Sequence, residues 1–364
     1  MKDELIVRGA DNAPLYPIIL DDSYEGLVSV LRSLQMEGRK VCLVTDSNVG
    51  SLYAKDVCGL LEKEGFFCVS YTFPAGEASK NLDTVAALYE LLIENSFDRN
   101  DVLLALGGGV TGDLTGFAAA TYLRGIRFIG MPTSLLSMVD SSVGGKTGVD
   151  YKAYKNMVGA FHQPSAVYIN TSALQTLPER EFLAGLGEVV KHGFILDYAY
   201  HTFLKENAAK ISAKDPEILR KMIHWSLCIK RDVVQRDPKE KGERALLNFG
   251  HTIGHAVEKL NHFTLLHGEC VSVGMVAAAE ISVLRGVLTR AEADEIKALL
   301  LALGMMTEVP ALEKEELLAV CHRDKKADGA KIKFVLLSEI GHAFLEPEVT
   351  DEELWAGFQV IVKK

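Results

Sequence analysis

The fold class is indicated most clearly by the segment Asp101-Val-Leu-Leu-Ala-Leu106-Gly107-Gly-Gly-Val-Thr-Gly-Asp113. Its first residues are almost wholly apolar, which is typical of a buried strand, and they run directly into three glycines. A helical pattern begins after the glycines, at Leu114. A glycine turn between a strand and a helix lets the backbone approach a phosphate, and the helix N-terminus offers that phosphate free N–H groups. The stretch therefore predicts a dinucleotide pyrophosphate site. Because the spacing is not G-x-G-x-x-G, a tight turn that needs small residues is the alternative.

The rest of the first half alternates strand and helix patterns. Apolar runs predict further strands, and helical spacing of apolar residues predicts a helix between them. The strands are expected at 40–45, 66–71, 126–131 and 166–170, and the helix at 83–95. Strands that alternate with helices in this way form a parallel sheet covered on both faces.

Helical periodicity dominates the second half, and one late segment at 333–337 has the pattern of a strand. The expected helices lie at 179–196, 216–236, 246–260, 268–285 and 291–303. We therefore expect an α/β domain over residues 1–178 and a mainly α-helical domain over residues 179–364.

The composition is that of an ordinary globular enzyme with room for about two domains. Of the 364 residues, 48% are hydrophobic and 24% are charged, and the net charge is -10. An acidic chain is a poor match for nucleic acid or a membrane surface, so a phosphate site would need a local cluster of Lys and Arg. No apolar run of about 18 residues predicts a membrane span, and no signal peptide is expected. The six cysteines form no C-x-x-C pair, which favours a reduced, cytoplasmic protein.

The segment His251-Thr-Ile-Gly-His255 is followed one loop later by His267. Histidines four residues apart share one face of a helix, and a third histidine can close a metal site over them. Imidazole is a common ligand for zinc and similar divalent metals, so the cluster predicts metal chemistry. The zinc protease motif requires a glutamate where this chain has Thr252, so a protease is disfavoured. Histidines that line a buried helix face are the alternative.

Asp46 stands at the end of the expected strand at 40–45. An acidic side chain there can accept both ribose hydroxyls of a dinucleotide, and it would repel the extra phosphate of NADP. The position therefore favours NAD, with a turn residue that bonds to its own backbone as the alternative. The segment Pro132–Thr147 contains two glycines before Lys146, which predicts an anion-binding nest; it is not a Walker A loop, because the first glycine of that motif is missing.

These motifs occur in one order with Gly187-Glu-Val-Val-Lys191, Asn248-Phe-Gly and Asp324-Lys-Lys326. In combination they resemble the 3-dehydroquinate synthase family over essentially the whole chain. The resemblance implies a Rossmann-like N-terminal domain, a helical metal-binding C-terminal domain, bound NAD, one divalent metal (zinc or cobalt) and a homodimer. It also implies a lyase of the shikimate pathway, which converts 3-deoxy-D-arabino-heptulosonate 7-phosphate to 3-dehydroquinate and phosphate.

The resemblance also implies roles for individual residues. As metal ligands it implies Glu188, His251 and His267, a set that leaves coordination positions open. For NAD it implies Asp46, Asn48, Gly76, Glu77, Ala78, Ser79, Lys80, Gly108, Gly109, Val110, Thr111, Gly112, Asp113, Thr133, Ser134, Lys146, Lys155, Ala173, Leu174, Gln175 and Thr176. For the substrate it implies Asp140, Lys146, Asn156, Lys191, Lys230, Arg244, Asn248, His255, one of Lys325 and Lys326, and Arg124 from a neighbouring subunit.

Ordinary structural or surface roles are the alternative for several of these residues. Glu188 could be a solvated glutamate, Glu77 and Lys80 could form a simple ion pair on one helix turn, and a single lysine is usually a surface charge.

Three other functions stay open on the sequence. A metal-dependent alcohol or glycerol dehydrogenase would release NADH, and it has no need for Lys146, Lys191, Lys230 and Arg244 around a phosphate. A sugar phosphate cyclase of secondary metabolism would use the same cofactors on another substrate. A non-catalytic NAD sensor would not need three metal ligands.

Overall fold

The computed structural model describes residues 3–9, 11–152, 154–237, 242–327 and 334–363, apart from the side chains of residues 323–327. The chain divides into two compact units, Met1–Leu177 and Pro178–Lys364. The first unit contains β1 (Asp3–Arg8), β2 (Pro14–Asp21), α1 (Leu27–Ser33), β3 (Lys40–Asp46), α2 (Ser47–Lys63), β4 (Phe67–Phe73), α3 (Leu82–Glu94), β5 (Val102–Gly107), α4 (Gly109–Thr121), β6 (Arg127–Pro132), β7 (Lys146–Tyr151), β8 (Tyr154–Phe161) and β9 (Ala166–Asn170). The second unit contains α5 (Glu179–Leu196), α6 (Tyr198–Glu206), α7 (Ala208–Ser212), α8 (Pro216–Arg236), α9 (His251–Leu260), α10 (His267–Leu284), α11 (Arg290–Ala302), α12 (Lys314–Ala327), β10 (Phe334–Glu339), β11 (His342–Glu346) and α13 (Asp351–Gln359).

A seven-stranded sheet in the order β1-β2-β9-β6-β5-β3-β4 forms the centre of the first unit. β1 pairs antiparallel with β2, and the other neighbouring strands pair in parallel. In the middle of the sheet, Leu104 of β5 is in register with Leu43 of β3 and Ile129 of β6. Every residue of β5 is buried, as expected for a central strand covered on both faces.

Alternate residues of β3 supply the two hydrophobic cores of this unit. Val41 and Leu43 pack with the buried faces of α1 and α2 on one side of the sheet. Cys42 and Val44 pack with α3 and α4 on the other side. This alternation follows from the period of two along a strand, and it places helices on both faces. The connections that leave the carboxyl ends of the parallel strands consequently lie along one edge of the sheet.

The second unit is mainly helical, with one two-stranded hairpin of β10 and β11. The fold class expected from the sequence is therefore confirmed. The helix expected at 246–260 is wrong in part, because the chain forms a 3₁₀ turn over Glu243–Asn248 and begins α9 only at His251. Gly250 lies between the two at φ 79°, a left-handed conformation that interrupts any continuous helix.

The helix α10 is the buried centre of the second unit. Its N-terminal turn lies against α5, where an added Cβ on Gly268 would stand 1.7 Å from the Ala184 carbonyl oxygen. The preceding helix, α9, also packs closely against α10, because a Cβ on Gly254 would stand 2.8 Å from the Cys270 carbonyl oxygen. Glycine at these positions thus lets α5, α9 and α10 come nearer to one another than ordinary side chains allow.

Among the described residues, α10 is long and apolar enough by length and composition to cross a membrane, and 72% of it is buried inside the protein. Burial of this kind is what the core helix of a helical unit requires.

The close packing at Gly268 can be tested by adding one methyl group. We expect Gly268→Ala to lower the free energy of unfolding by about 1–3 kcal/mol or more, because the carbonyl oxygen in its way is backbone. Urea unfolding of the metal-free protein measures this. Gly59→Ala in α2 is the matched control, since its Cβ would meet nothing within 4 Å and alanine favours a helix by about 1 kcal/mol. Equal unfolding midpoints for the two variants would contradict the packing argument.

Candidate active site

The glycine turn joins β5 to α4 at the edge where the parallel strands end. Gly108 is the N-cap residue of α4, and the helix begins at Gly109. The Thr133 amide, after β6, donates to the Gly107 carbonyl oxygen at 2.9 Å. The turn therefore presents the free N–H groups of a helix N-terminus at the sheet edge, as a phosphate site requires.

Asp46 occupies the position expected for it, and it does two things there. Its Oδ1 accepts hydrogen bonds from the amides of Asn48 and Val49, at 2.8 and 3.0 Å, so it caps α2. Its Oδ2 lies 3.5 Å from the Thr111 hydroxyl of the glycine turn. One carboxylate oxygen of Asp46 therefore has the structural role of a helix cap. The other faces the glycine turn, where the nucleotide is expected.

Lys80 is a buried cation rather than one half of a simple ion pair on a helix turn. Its ammonium lies 2.7 Å from Asp113 and 2.6 Å from the Asn156 amide oxygen, whereas Glu77 is 3.8 Å away. The side chain is 5% exposed. Burial raises the pKa of Asp113 to about 6, although Lys80 pulls it down. The pKa of Lys80 is raised, because the attraction of Asp113 and Glu77 exceeds the opposing effect of burial.

The two glycines before Lys146 lie in backbone conformations that favour glycine. Gly144 and Gly145 have φ values of 107° and 67°, which are open to glycine at no steric cost. Lys146 begins β7, and it lines one cavity together with Gly108 and Asp113. The structure therefore brings the expected basic loop to the glycine turn.

Other expected residues of the first unit lie around the same edge. The Ala75 amide donates to Ser47 at 3.1 Å, which ties the segment 76–80 to the start of α2. The segment Thr171–Gln175 follows β9, and the Thr176 hydroxyl is hydrogen-bonded to Tyr53 of α2. Ser134 and Ser137 hydrogen-bond to each other after β6. Asp140 lies in the π-helical turn Ser137–Ser141, and Lys155 is exposed on β8.

Arg124 is not brought to this edge within its own chain. It lies in a turn after α4, at φ 67°, and α4 starts at the glycine turn and runs for 13 residues. A helix of that length is about 20 Å long, so Arg124 stands at the far end from the nucleotide side.

In the second unit, Glu188 lies between two imidazoles. Its Oε1 is 3.7 Å from Nε2 of His251 and 3.7 Å from Nε2 of His267. These three residues come from α5, α9 and α10, the helices that pack closely through glycine. Its other oxygen pairs with Lys191 one turn further along α5, and both side chains are buried. Glu188 is therefore not a solvated surface glutamate, which was the alternative interpretation.

This group fits a divalent metal. Oε1 of Glu188 is buried and has no hydrogen-bond partner among the described residues, so a ligand position is left unused. Tetrahedral ligands that lie about 2.1 Å from zinc are about 3.4 Å apart, close to the spacing observed. One carboxylate and two imidazoles form a donor set that zinc and cobalt accept and that leaves coordination positions open.

The charges of the cluster are strongly coupled. Burial alone would raise the pKa of Glu188, but Lys191 and the two imidazoles hold it well below its usual value. Burial and the nearby Lys191 lower the pKa of His251 well below its usual value, so this ring is neutral, as a metal ligand must be. The pKa of His267 is raised to about 9, because the carboxylates of Glu188 and Glu258 outweigh its desolvation.

The other expected substrate residues of the second unit are mostly basic and buried. Lys230 of α8 and Arg244 of the turn Glu243–Asn248 are 6% and 3% exposed. His255 lies one turn after His251, with their ring centroids 5.2 Å apart, whereas Asn248 is exposed. The side chains of Lys325 and Lys326 lie outside the described residues.

Two residues that contact the expected site residues were not predicted from the sequence. Asp237 accepts hydrogen bonds from the amides of Gly242 and Arg244, at 2.6 and 3.2 Å, and so shapes the turn that carries Arg244. Glu258 lies 3.9 Å from Nδ1 of His267. Its position two turns after His251 on one helix face was a signal that could have found it. Nothing in the local sequence pointed to Asp237.

Comparison with known proteins identifies the family. Residues 70–184 match the family model described as 3-dehydroquinate synthase N-terminal, and residues 185–327 match the 3-dehydroquinate synthase C-terminal model. A 3-dehydroquinate synthase of Ruminiclostridium cellulolyticum is 44% identical over 339 residues, which cover 93% of this chain and 94% of that protein. This chain belongs to the 3-dehydroquinate synthase family.

Solved structures of other cyclases in this wider group share the fold. ValA, a 2-epi-5-epi-valiolone synthase of Streptomyces hygroscopicus with NAD+ and Zn2+ bound, has a TM-score of 0.88 and 26% identity, covering 95% of this chain and 96% of that one. A 2-deoxy-scyllo-inosose synthase complexed with carbaglucose-6-phosphate, NAD+ and Co2+ has a TM-score of 0.86 and 26% identity, covering 98% of each chain. The architecture of both units therefore agrees with membership of the 3-dehydroquinate synthase family.

The ion pair between the buried Lys80 and the partly buried Asp113 affects stability. Lys80→Met leaves the Asp113 carboxylate without its closest cation, so we expect a loss of about 3 kcal/mol in the free energy of unfolding at pH 7.5, the lower end of the range for a buried pair. The folded-state pKa of Asp113 is about 6, above its unfolded value of about 3.9, so the carboxyl group favours folding below that window and loses this contribution as the pH rises through it. The variant should therefore lose more stability than the wild type between pH 4.5 and 7.5.

Urea unfolding at the two pH values measures this effect. The double variant Lys80→Met with Asp113→Asn is the control, since it removes the stranded charge and should recover part of the loss. A single variant with the pH dependence of the wild type would contradict the assignment.

Proposed function

We propose that this chain converts 3-deoxy-D-arabino-heptulosonate 7-phosphate to 3-dehydroquinate and phosphate, as a lyase that uses NAD and one divalent metal. The observation that carries the proposal is the buried carboxylate of Glu188 between His251 and His267 and beside Lys191, in a chain 44% identical to a 3-dehydroquinate synthase. The reaction oxidises a secondary alcohol, eliminates phosphate, reduces the ketone again and closes a carbocycle by an aldol step.

The nucleotide belongs at the sheet edge of the first unit. The amides at the start of α4 would bind the pyrophosphate, and Oδ2 of Asp46 would accept the ribose hydroxyls. The surrounding set is Asn48, the segment 76–80, the turn 108–113, Thr133, Ser134, Lys146, Lys155 and the segment 173–176. Bound NAD supplies a reversible hydride acceptor. The ion pair between Lys80 and Asp113 would hold the residues beneath the nucleotide in place before it binds.

Glu188, His251 and His267 would hold the metal in the second unit. A divalent ion held there would act as a Lewis acid towards the hydroxyl and carbonyl oxygens of the substrate. The protein's own contribution is to hold one carboxylate and two imidazoles in place and to exclude water from Glu188, which is 1% exposed. Because His251 is neutral at physiological pH, it keeps a lone pair for this role.

The buried cations would stabilise the charge of the phosphate group and its departure. Lys191, Lys230 and Arg244 are each less than a tenth exposed, and a phosphate bound beside them gains more than it would in water. These residues give an acidic protein the local positive charge that a sugar phosphate needs. Lys146 would contribute from the anion nest of the first unit. We assign Asp140, Asn156, Asn248 and one of Lys325 and Lys326 to the hydroxyl and carboxylate groups of the substrate.

His255 would hold or move a proton near the reacting oxygens. It stands beside both imidazole ligands, with ring centroids 5.2 and 5.8 Å away, yet it is not within the ligand group around Glu188. The departing phosphate can itself accept the carbon-bound proton, so the protein need not supply a strong base.

A homodimer in the cytoplasm completes the proposal. Arg124 stands at the far end of α4 from the nucleotide side and is exposed beside Leu123, which is 43% exposed. This position suits a residue that reaches the phosphate of a neighbouring subunit. Six free cysteines suit a reducing compartment.

The function can be tested by measuring phosphate release from the heptulosonate phosphate with catalytic NAD+ and zinc. We expect many turnovers of phosphate for each NAD+ and no build-up of NADH, because the hydride returns to the substrate. One NADH formed for each substrate consumed would instead support an alcohol or glycerol dehydrogenase. No turnover with any sugar phosphate would support a sensor.

The same assay tests the metal ligands. We expect His267→Ala to lower the turnover number by more than about 100-fold and to lose bound zinc, since loss of even an outer partner of a ligand costs 10–100-fold. His342→Ala removes a histidine that is 71% exposed in the same unit, and it should behave as the wild type. Unchanged turnover and zinc content in His267→Ala would contradict the metal assignment.

A further inference from the structure

One face of α9 carries three polar groups in succession. His251, His255 and Glu258 lie four and then three residues apart, so all three point to the same side of the helix. The first two belong to the proposed metal and substrate sites. Glu258 is not assigned to either, although it is 9% exposed and a carboxylate is costly to bury.

The second nitrogen of each imidazole ligand has an acceptor near it. His251 turns Nε2 towards Glu188, and its Nδ1 lies 3.2 Å from the Phe249 carbonyl oxygen. A carbonyl oxygen can only accept, so the proton of the neutral ring belongs on Nδ1 and the lone pair on Nε2. The backbone just before α9 therefore fixes the tautomer of this ligand.

His267 also has an acceptor near its Nδ1, but here the acceptor is the side chain of Glu258 and not a backbone carbonyl. Its Nε2 lies 3.7 Å from Oε1 of Glu188, and its Nδ1 lies 3.9 Å from Oε2 of Glu258. The two carboxylates thus face opposite nitrogens of one ring. The distance to Glu258 exceeds hydrogen-bond length by about 1 Å, which a small rotation of either side chain can close.

We infer that Glu258 is the positioning residue of the metal site, accepting the Nδ1–H of His267 so that Nε2 is held as the ligand. The inference rests on the metal site of the proposed function. A carboxylate in this place selects the correct tautomer, fixes the plane of the ring and raises the basicity of Nε2. Glu258 does not itself touch the metal.

A second metal site is the main competing interpretation. His255, Glu258 and His267 also have potential ligand atoms within 4.8 Å of one another. This group shares His267 with the first group, so its use would require one imidazole to bridge two ions. Metal stoichiometry separates the two interpretations.

The test measures zinc affinity of the metal-free protein by competition with a chelator of known affinity. We expect Glu258→Gln, which keeps the shape and a weaker acceptor, to bind zinc about 10-fold less tightly, and Glu258→Ala to approach 100-fold. The visible absorption bands of the cobalt-substituted protein should shift in the same order. Zinc should raise the melting temperature of the Gln variant by less than it raises that of the wild type, a difference that a merely structural role would not give.

Glu280→Gln is the matched control, because Glu280 lies on the same helix as His267 but pairs with Arg290 at 2.6 Å. It should leave zinc affinity and the cobalt spectrum unchanged. Zinc affinity and cobalt bands equal to the wild type in Glu258→Gln would overturn this inference alone. Two zinc ions per wild-type chain, one of them lost in Glu258→Gln, would replace it with the second metal site. A wild type that binds no zinc would overturn it together with the proposed metal site.

Discussion

The second unit depends on the close approach of α5, α9 and α10, which places one buried carboxylate between two imidazoles. A methyl group on Gly268 would overlap the backbone of α5, so the spacing of these helices is set by the absence of a side chain. Glu188 pays a large desolvation cost there, which Lys191 and the imidazoles offset. Oε1 of Glu188 is still without a hydrogen bond among the described residues. An ion at that oxygen and the two ring nitrogens would complete the electrostatics of the helix core, which would explain why a carboxylate and an ammonium group are buried beside the imidazoles.

In the first unit, the sheet is what brings the expected binding residues together. Parallel strands end along one edge, so Asp46, the glycine turn and the serines after β6 come together, although they are far apart in sequence. Lys80 is the buried cation that ties this edge to Asp113 and to the hairpin of β7 and β8 through Asn156. The net charge of the chain is -10, yet each unit places lysine or arginine side chains where they are shielded from solvent. Local burial, rather than total charge, is what makes an acidic protein able to bind a phosphate ester.

Much of the fold could be predicted from the sequence, because apolar runs and helical spacing report burial directly. The strand β5 and the helices α5 and α8 are clear examples, since their patterns are continuous and their ends are marked by glycine or proline. The first two strands were not predicted, because prolines interrupt β2 and neither strand lies between two helices. The break before α9 depends on the left-handed Gly250, which a pattern of apolar residues does not reveal. The histidine spacing pointed to the metal site, but the contacts of Glu258 and of Lys80 with Asp113 join residues from separate elements and needed coordinates.

Anomalous diffraction at the zinc edge, from crystals of the zinc-loaded protein, tests the metal site directly. We expect one strong peak within about 2.0–2.2 Å of Oε1 of Glu188 and of Nε2 of both His251 and His267. We also expect the three helices to keep their spacing around Gly268 and Gly254. A peak elsewhere in the chain, or a zinc ion that leaves Glu188 uncoordinated, would show that these three residues do not form the metal site.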